Sequence, residues 1–173
     1  MQEEEIVRRC QARDIGAFKM VYDRYGQALL HTAMRILGRQ EDAEDAVQTA
    51  FTKLYGGIGN FRYDSKFSTY LFKILMNVCF DALAKKRRMP MQTLDTVTPS
   101  HRPKHDLRIA LEEAIAMLPD QQKACFVLFA VEELPQEEIA QVMNLSVGGV
   151  KSNIYHARRR LRELLSDTMD GER

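Results

Sequence analysis

The sequence predicts an all-α protein built as two small helical domains joined by a flexible linker, the C-terminal one containing a helix-turn-helix. Apolar residues recur at spacings of three and four along most of the chain, and no stretch alternates as a strand would. A segment rich in Pro, Ser and Thr, without that periodicity, interrupts the pattern after residue 88. The first helix follows Asp14, a suitable N-cap, carries Ile15, Phe18, Tyr22 and Tyr25, and ends where Gly38 follows Leu37. A second opens near Glu41-Asp42-Ala43-Glu44-Asp45, whose carboxylates suit the positive end of a helix dipole. It continues through Val47, Phe51 and Leu54 until Gly56-Gly57 and Gly59-Asn60 break it. A polar loop, Phe61 to Lys66, leads into a helix from Phe67 to Arg88 whose C-terminal end is basic, as the dipole prefers. Met89 to Asp106 holds Pro90, Pro99 and Pro103 and reads as a linker, so the expected division is residues 1–88, 89–106 and 107–173. Leu107, Leu111, Ile115 and Leu118 then mark a helix, and Pro119 and Pro135 each suit the first turn of a following one.

Composition narrows the function classes. Of 173 residues 45% are hydrophobic and 28% charged, a globular balance, and no apolar run approaches the roughly 20 residues of a membrane span. The opening Met1-Gln2-Glu3-Glu4-Glu5 is acidic where a secretory signal is basic, which gives a cytoplasmic expectation. Cys10, Cys79 and Cys125 are far apart and form no CxxC pair, so buried thiols are expected rather than a disulfide framework or zinc site. The net charge of +1 conceals segregation: residues 1–88 hold 15 basic and 11 acidic side chains, residues 107–173 hold 8 and 11. Arg62 to Arg88 has seven basic and two acidic residues, and Ser146 to Arg162 has five basic and none acidic.

Two stretches carry chemistry. Pro135 to Leu165 has the layout of a helix-turn-helix, with Ile139, Ala140 and Val142 facing inward, Leu145 plugging the turn and Ser146 capping the second helix. In that helix Val150, Ile154, Ala157, Leu161 and Leu164 form the inner stripe, opposite Lys151, Tyr155, Arg158, Arg159 and Arg162. An ordinary helical hairpin with a solvated basic face is the alternative. From Phe61 to Arg88 aromatics interleave with basic and amide groups, and Lys66, Tyr70, Lys73 and Asn77 share one face. Such a face can meet phosphates, stack a base and read a base edge; the alternative is an aromatic core with a solvated rim. The clustered carboxylates at Glu41 to Asp45 suit the helix dipole, or a magnesium-dependent nuclease. His101 and His105 in the linker lack a third ligand, and His31 and His156 lack triad partners in sequence. Neither a cofactor nor a catalytic site is expected.

Ile36-Leu37-Gly38, Glu41 to Gln48, Ala50-Phe51 and Phe67 to Ile74 with Asn77, Asp81 and Lys85 to Arg88 resemble region 2 of extracytoplasmic-function sigma factors. Leu118-Pro119, Glu138-Ile139-Ala140, Val150-Lys151-Ser152, Ala157-Arg158 and Leu161-Arg162 resemble region 4. The resemblance implies a transcription initiation factor that binds bacterial core RNA polymerase and promoter DNA, under control of an anti-sigma factor. It implies polymerase docking through Asp42, Asp45 and Gln48. It implies capture of the −10 element by the loop Phe61, Arg62, Tyr63, Asp64, Ser65 and Lys66, with Tyr70, Lys73 and Asn77 beside it. Contact with the −35 element falls to Ser146, Gly148, Gly149, Lys151, Ser152, Tyr155, Arg158, Arg159 and Arg162. The chain departs from the family pattern at Gly149, where threonine is usual, and at Pro135, where serine is common. A DNA-binding regulator that uses the helix-turn-helix without joining polymerase is the runner-up function.

Overall fold

The computed structural model describes residues 2–89 and 107–170, with side chains described as far as residue 166. Eight α-helices and one turn of 3₁₀ helix carry the described chain, and no strand occurs among the described residues. α1 spans Glu3–Gln11, α2 Ile15–Leu37, α3 Gln40–Gly57 and α4 Phe67–Arg88. In the C-terminal half α5 spans Leu107–Ala116, α6 Asp120–Ala130, α7 Gln136–Met143 and α8 Val147–Asp170. Beyond Met89 the expected linker lies outside the described residues, as do His101 and His105.

Local chemistry sets these boundaries. The Asp14 carboxylate accepts the Gly16 N–H at 2.8 Å and opens α2. Gly38 closes it at φ 78°, in the left-handed region that glycine enters without steric penalty. α3 runs through Gly56 and Gly57 and tightens into the 3₁₀ turn Ile58–Asn60, so the glycines end the helix one turn later than the sequence suggests. Pro119 and Pro135 sit at the N-caps of α6 and α7, one position ahead of the expected first turn. α1 is a helix beyond those expected from the sequence, although Ile6, Val7 and Cys10 have helical spacing and Glu3 to Glu5 and Arg8-Arg9 match the dipole.

α4 is central, packed by α2, α3 and α7. Its length and composition alone would let it cross a membrane, but Phe67, Leu71, Phe72, Leu75, Met76, Val78 and Cys79 are buried in the protein core while Lys73 and Asn77 face outward. Helical periodicity did not always mark the core. Ile15 and Tyr22 are exposed, and the buried side of α2 is Ala17, Val21, Leu29, Ala33 and Ile36. All three cysteines are buried and free.

The two helical halves pack into one body. α7 lies on α4, and α5 and α6 lie on α2. Leu128, Ile139, Val142, Val150 and Ile154 belong to the same buried cluster as Leu29, Leu71 and Met76. Polar links cross the seam in one sense, with each donor on the N-terminal half and each acid on the C-terminal half. Thr32 Oγ1 donates to Glu132 at 2.6 Å, and Arg35 makes a two-pronged contact with Glu112 at 3.2 and 2.8 Å. Lys66 and Thr69 share the Glu138 carboxylate, and Arg87 pairs with Asp120. The charge segregation read along the sequence is thus complementary across the seam.

Candidate nucleic-acid interface

The loop before α4 is built on an aromatic floor. Phe61 is buried, its ring centroid 4.9 Å from Tyr63, 5.9 Å from Phe67 and 4.9 Å from Tyr70. The Gln11 amide donates to the carbonyls of Ile58 at 3.3 Å and Phe61 at 2.9 Å and accepts the Tyr63 hydroxyl at 3.2 Å. Gln11 therefore ties α1 to the loop. Nothing in the sequence flags a glutamine some 50 positions from the loop it holds. A Cβ on Gly57 would lie 3.1 Å from the Tyr70 hydroxyl, so this glycine leaves room for the ring, whose burial raises the phenol pKa.

On this floor the expected residues divide. Phe61 turns inward, a correction to its place among base-facing residues, because the ring fills the space between the loop and α4. Arg62, Tyr63, Asp64 and Lys66 are exposed, Ser65 is half-buried, and Tyr63 takes a left-handed backbone with φ 61°. On α4, Tyr70 is half-buried and Lys73 and Asn77 are exposed on the same side. Lys66 Nζ lies 2.5 Å from Glu138 of α7.

Asp45 and Gln48 are exposed on α3, while Asp42 is half-buried, 3.8 Å from Lys86. Asp42 and Asp45 edge one cleft with Arg39, Val78, Leu83, Lys86 and Met89. Gln48 instead edges an apolar groove of about 540 Å³ between α2 and α3, lined by Phe18, Tyr22, Val47, Phe51 and Tyr55. The carboxylates from Glu41 to Asp45 therefore point around the helix. Among the described residues no group of three or more His, Cys, Asp or Glu side chains is placed to hold a metal.

α7, the turn Asn144-Leu145-Ser146 and α8 form the helix-turn-helix. Asn144 closes α7 in a left-handed conformation, φ 53°, and the Leu145 N–H donates to the Ala140 carbonyl at 3.0 Å. Ser146 Oγ accepts the Gly149 N–H at 3.0 Å, the cap that opens α8. Val150, Ile154, Ala157 and Leu161 are buried; Gly148, Lys151, Ser152, Tyr155, Arg158, Arg159 and Arg162 are exposed and Gly149 is half-buried. Lys151, Tyr155, Arg158 and Arg162 recur at spacings of four, three and four and make one outward stripe. The Arg158 guanidinium lies 5.2 Å over the Phe129 ring, which holds it against α6, and Arg159 pairs with Glu163 at 3.0 Å.

Comparison with known proteins matches residues 21–89 to the family model for sigma-70 region 2 and residues 108–161 to that for sigma-70, region 4. The chain is 32% identical over 166 residues to the ECF RNA polymerase sigma factor SigM of Mycobacterium tuberculosis, covering 94% of this chain and 84% of that protein. Its fold is similar to CnrH in complex with the cytosolic domain of CnrY, with TM-score 0.72, 25% identity and coverage of 94% and 96%. It is similar again to the sigma factor RpoE of Bartonella quintana in complex with the anti-sigma factor NepR, with TM-score 0.72, 25% identity and coverage of 88% and 98%.

Proposed function

This chain belongs to the extracytoplasmic-function sigma factors of the sigma-70 family, and from that premise we propose how its surfaces divide the work of directing RNA polymerase to a promoter. The observation that carries the proposal is the pairing of a region 2 half with a complete helix-turn-helix, whose basic stripe is free of acidic side chains from Ser146 to Arg162. A regulator that binds DNA without polymerase has no use for the region 2 half. The working division is residues 1–88, 89–106 and 107–173, as expected from the sequence.

Asp42, Asp45 and Gln48 dock on core polymerase, where two carboxylates on one flank of α3 offer charge to a basic partner. The exposed loop residues Arg62, Tyr63, Asp64, Ser65 and Lys66, with Tyr70, Lys73 and Asn77, take the −10 element. A lysine meets phosphate, a tyrosine ring stacks a base and an asparagine reads a base edge. Phe61 braces that surface from below. Ser146 aims the first turn of α8, with Gly148, Gly149, Lys151 and Ser152, at the −35 element, where unpaired N–H groups and the helix dipole favour phosphate. Tyr155 continues the groove-facing stripe, and Arg158, Arg159 and Arg162 meet the backbone. Binding and positioning are the whole of the role, without a catalytic site, and the site of action is the cytoplasm, where polymerase works. An anti-sigma factor holds the protein inactive, a reading supported by the similar RpoE solved with NepR.

In vitro transcription of genomic fragments with bacterial core polymerase tests the proposal. Promoter-specific transcripts should appear only when this protein is added. An unchanged transcript set, with core binding intact, would refute it.

A further inference from the structure

We propose that Gln11 is a positioning residue for −10 recognition, its side-chain amide setting the base preference of the Phe61 to Lys66 loop without touching DNA. The proposal rests on the reading of that loop as part of the −10 surface. Gln11 is the last residue of α1 and is half-buried. Its Nε2 donates to the carbonyls of Ile58 at 3.3 Å and Phe61 at 2.9 Å, while its Oε1 accepts the Tyr63 hydroxyl at 3.2 Å. One side chain thus holds three residues at the entry to the loop.

The backbone supplies little of this order. The Phe61 N–H closes the 3₁₀ turn on the Ile58 carbonyl at 3.1 Å, but among the described residues no backbone N–H outside the helices reaches the Phe61 carbonyl. Gln11 is its donor. Two residues on, Tyr63 takes φ 61°, a left-handed backbone that is costly for a bulky side chain and persists where the surroundings over-determine it. Those surroundings are the Gln11 acceptor on the hydroxyl and the Phe61 ring, 4.9 Å from the Tyr63 ring. Without Gln11, Tyr63 can return to an ordinary backbone, which re-aims its exposed ring and the neighbouring Arg62 and Asp64. The adjoining corner is pinned too, since Arg13 donates to the Tyr55 carbonyl near the end of α3 and lies 4.9 Å over the Tyr55 ring. α1 and this corner therefore splint the chain from α3 into the loop. A loop ordered before the DNA strand arrives costs less to fix on binding, and it discriminates among bases because its exposed side chains already have defined places.

The test uses the full chain in holoenzyme, on a promoter recovered by transcription of genomic fragments and on every single-base change across its −10 element. Gln11→Met keeps the length of the side chain and removes all three bonds. Discrimination between the native base and its replacements should fall about fivefold at one or two −10 positions, roughly the weight of one hydrogen bond, and discrimination at the −35 element should be unaltered. Gln11→Glu keeps an acceptor for Tyr63 but no donor for the two carbonyls, and should lose at least as much. Ile115→Val, in the core shared by α5, α6 and α8, matches the loss of stability without touching the loop and should leave −10 preference unchanged. If a Gln11 variant makes no transcript, binding of its holoenzyme to unpaired oligonucleotides of the same −10 sequences is read instead, with the same expectation. Unchanged −10 preference in either Gln11 variant, or an equal change in Ile115→Val, overturns the proposal. Asn77→Ala separates this from failure of the underlying reading. If Asn77→Ala shifts −10 preference and Gln11→Met does not, the positioning role falls alone; if neither shifts it, the −10 reading of this surface falls as well.

Discussion

Single side chains decide how the turn of the helix-turn-helix is held. Ser146 Oγ is the acceptor for the Gly149 N–H, and without it that donor at the start of α8 has no side-chain partner. Ser146→Ala should lower stability by about 1 kcal/mol in urea unfolding. Gly148 and Gly149 follow, each less favourable for helix than alanine by roughly 1 kcal/mol in an interior position. They are not equivalent. A Cβ on Gly148 would lie 3.9 Å from Ser146 Oγ, an ordinary contact, whereas one on Gly149 would come within 3.3 Å of the capping oxygen. Gly148→Ala should therefore raise the melting temperature by a few degrees at most, and Gly149→Ala should raise it less. Equal gains would show that the cap yields freely. The cap was legible because serine before an apolar repeat is a local signal; Gln11 was not, because its partners Ile58 and Phe61 lie on a distant stretch of chain.

At the scale of the element, periodicity identified helices better than it identified their buried sides. The sequence pattern bounded α2 and α4 as observed, since Asp14, Gly38 and the polar loop before Phe67 act locally. Which stripe is buried depends on what packs against it, and so on α2 Tyr22 faces the groove beside α3 and Ile15 is exposed, neither belonging to the core. On α3, the same dependence splits the proposed docking residues, with Asp42 and Asp45 on one flank and Gln48 on the other. Replacing Asp42 and Asp45 by alanine should weaken association with core polymerase about tenfold, or about 1.4 kcal/mol, in a fluorescence binding assay. Stability should scarcely change, because among the described residues the ion pair lost is the long, half-exposed Asp42–Lys86 contact. Unaltered association would remove α3 from the docking surface. On α8, Arg158→Ala with Arg159→Ala should reduce the slope of log affinity against log salt by roughly 1.8 for holoenzyme on promoter DNA, at about 0.9 per phosphate. An unchanged slope would leave Arg158 as a packing residue on Phe129 and Arg159 as the partner of Glu163.

The whole molecule shows a union of its halves that no local pattern announced. Charge segregation was visible in the sequence, but its meaning was not, because only the folded chain sets Glu112, Glu132 and Glu138 against Arg35, Thr32 and Lys66. The three cysteines report on this body, one from α1, one from α4 and one from α6. Burial pushes the Cys79 thiol up to about 12 and the Cys125 thiol up to about 11. Cys10 is raised as well, chiefly by burial and then by the Asp14 charge. The sign of the consequence follows from linkage. In the unfolded chain these thiols ionise near 9, so below that pH both states are protonated and the thiols leave stability unchanged. Above it the unfolded state sheds protons that the native state keeps, and stability falls as pH rises toward the native values. Burial also raises the Tyr25 phenol, helped by its hydrogen bond to Glu3, and adds to the same decline at higher pH. Urea midpoints should therefore drop between about pH 9 and about pH 10.5, where the thiolate rather than the thiol is the favoured form of an exposed cysteine. A disulfide reagent at about pH 8 should label the native protein far more slowly than the urea-unfolded chain, since only the thiolate attacks and all three sulfurs are enclosed. Fast native labelling of Cys125 alone would mean that the C-terminal half opens readily even in the wild type, while fast labelling of Cys79 would place the opening in the core of the N-terminal half.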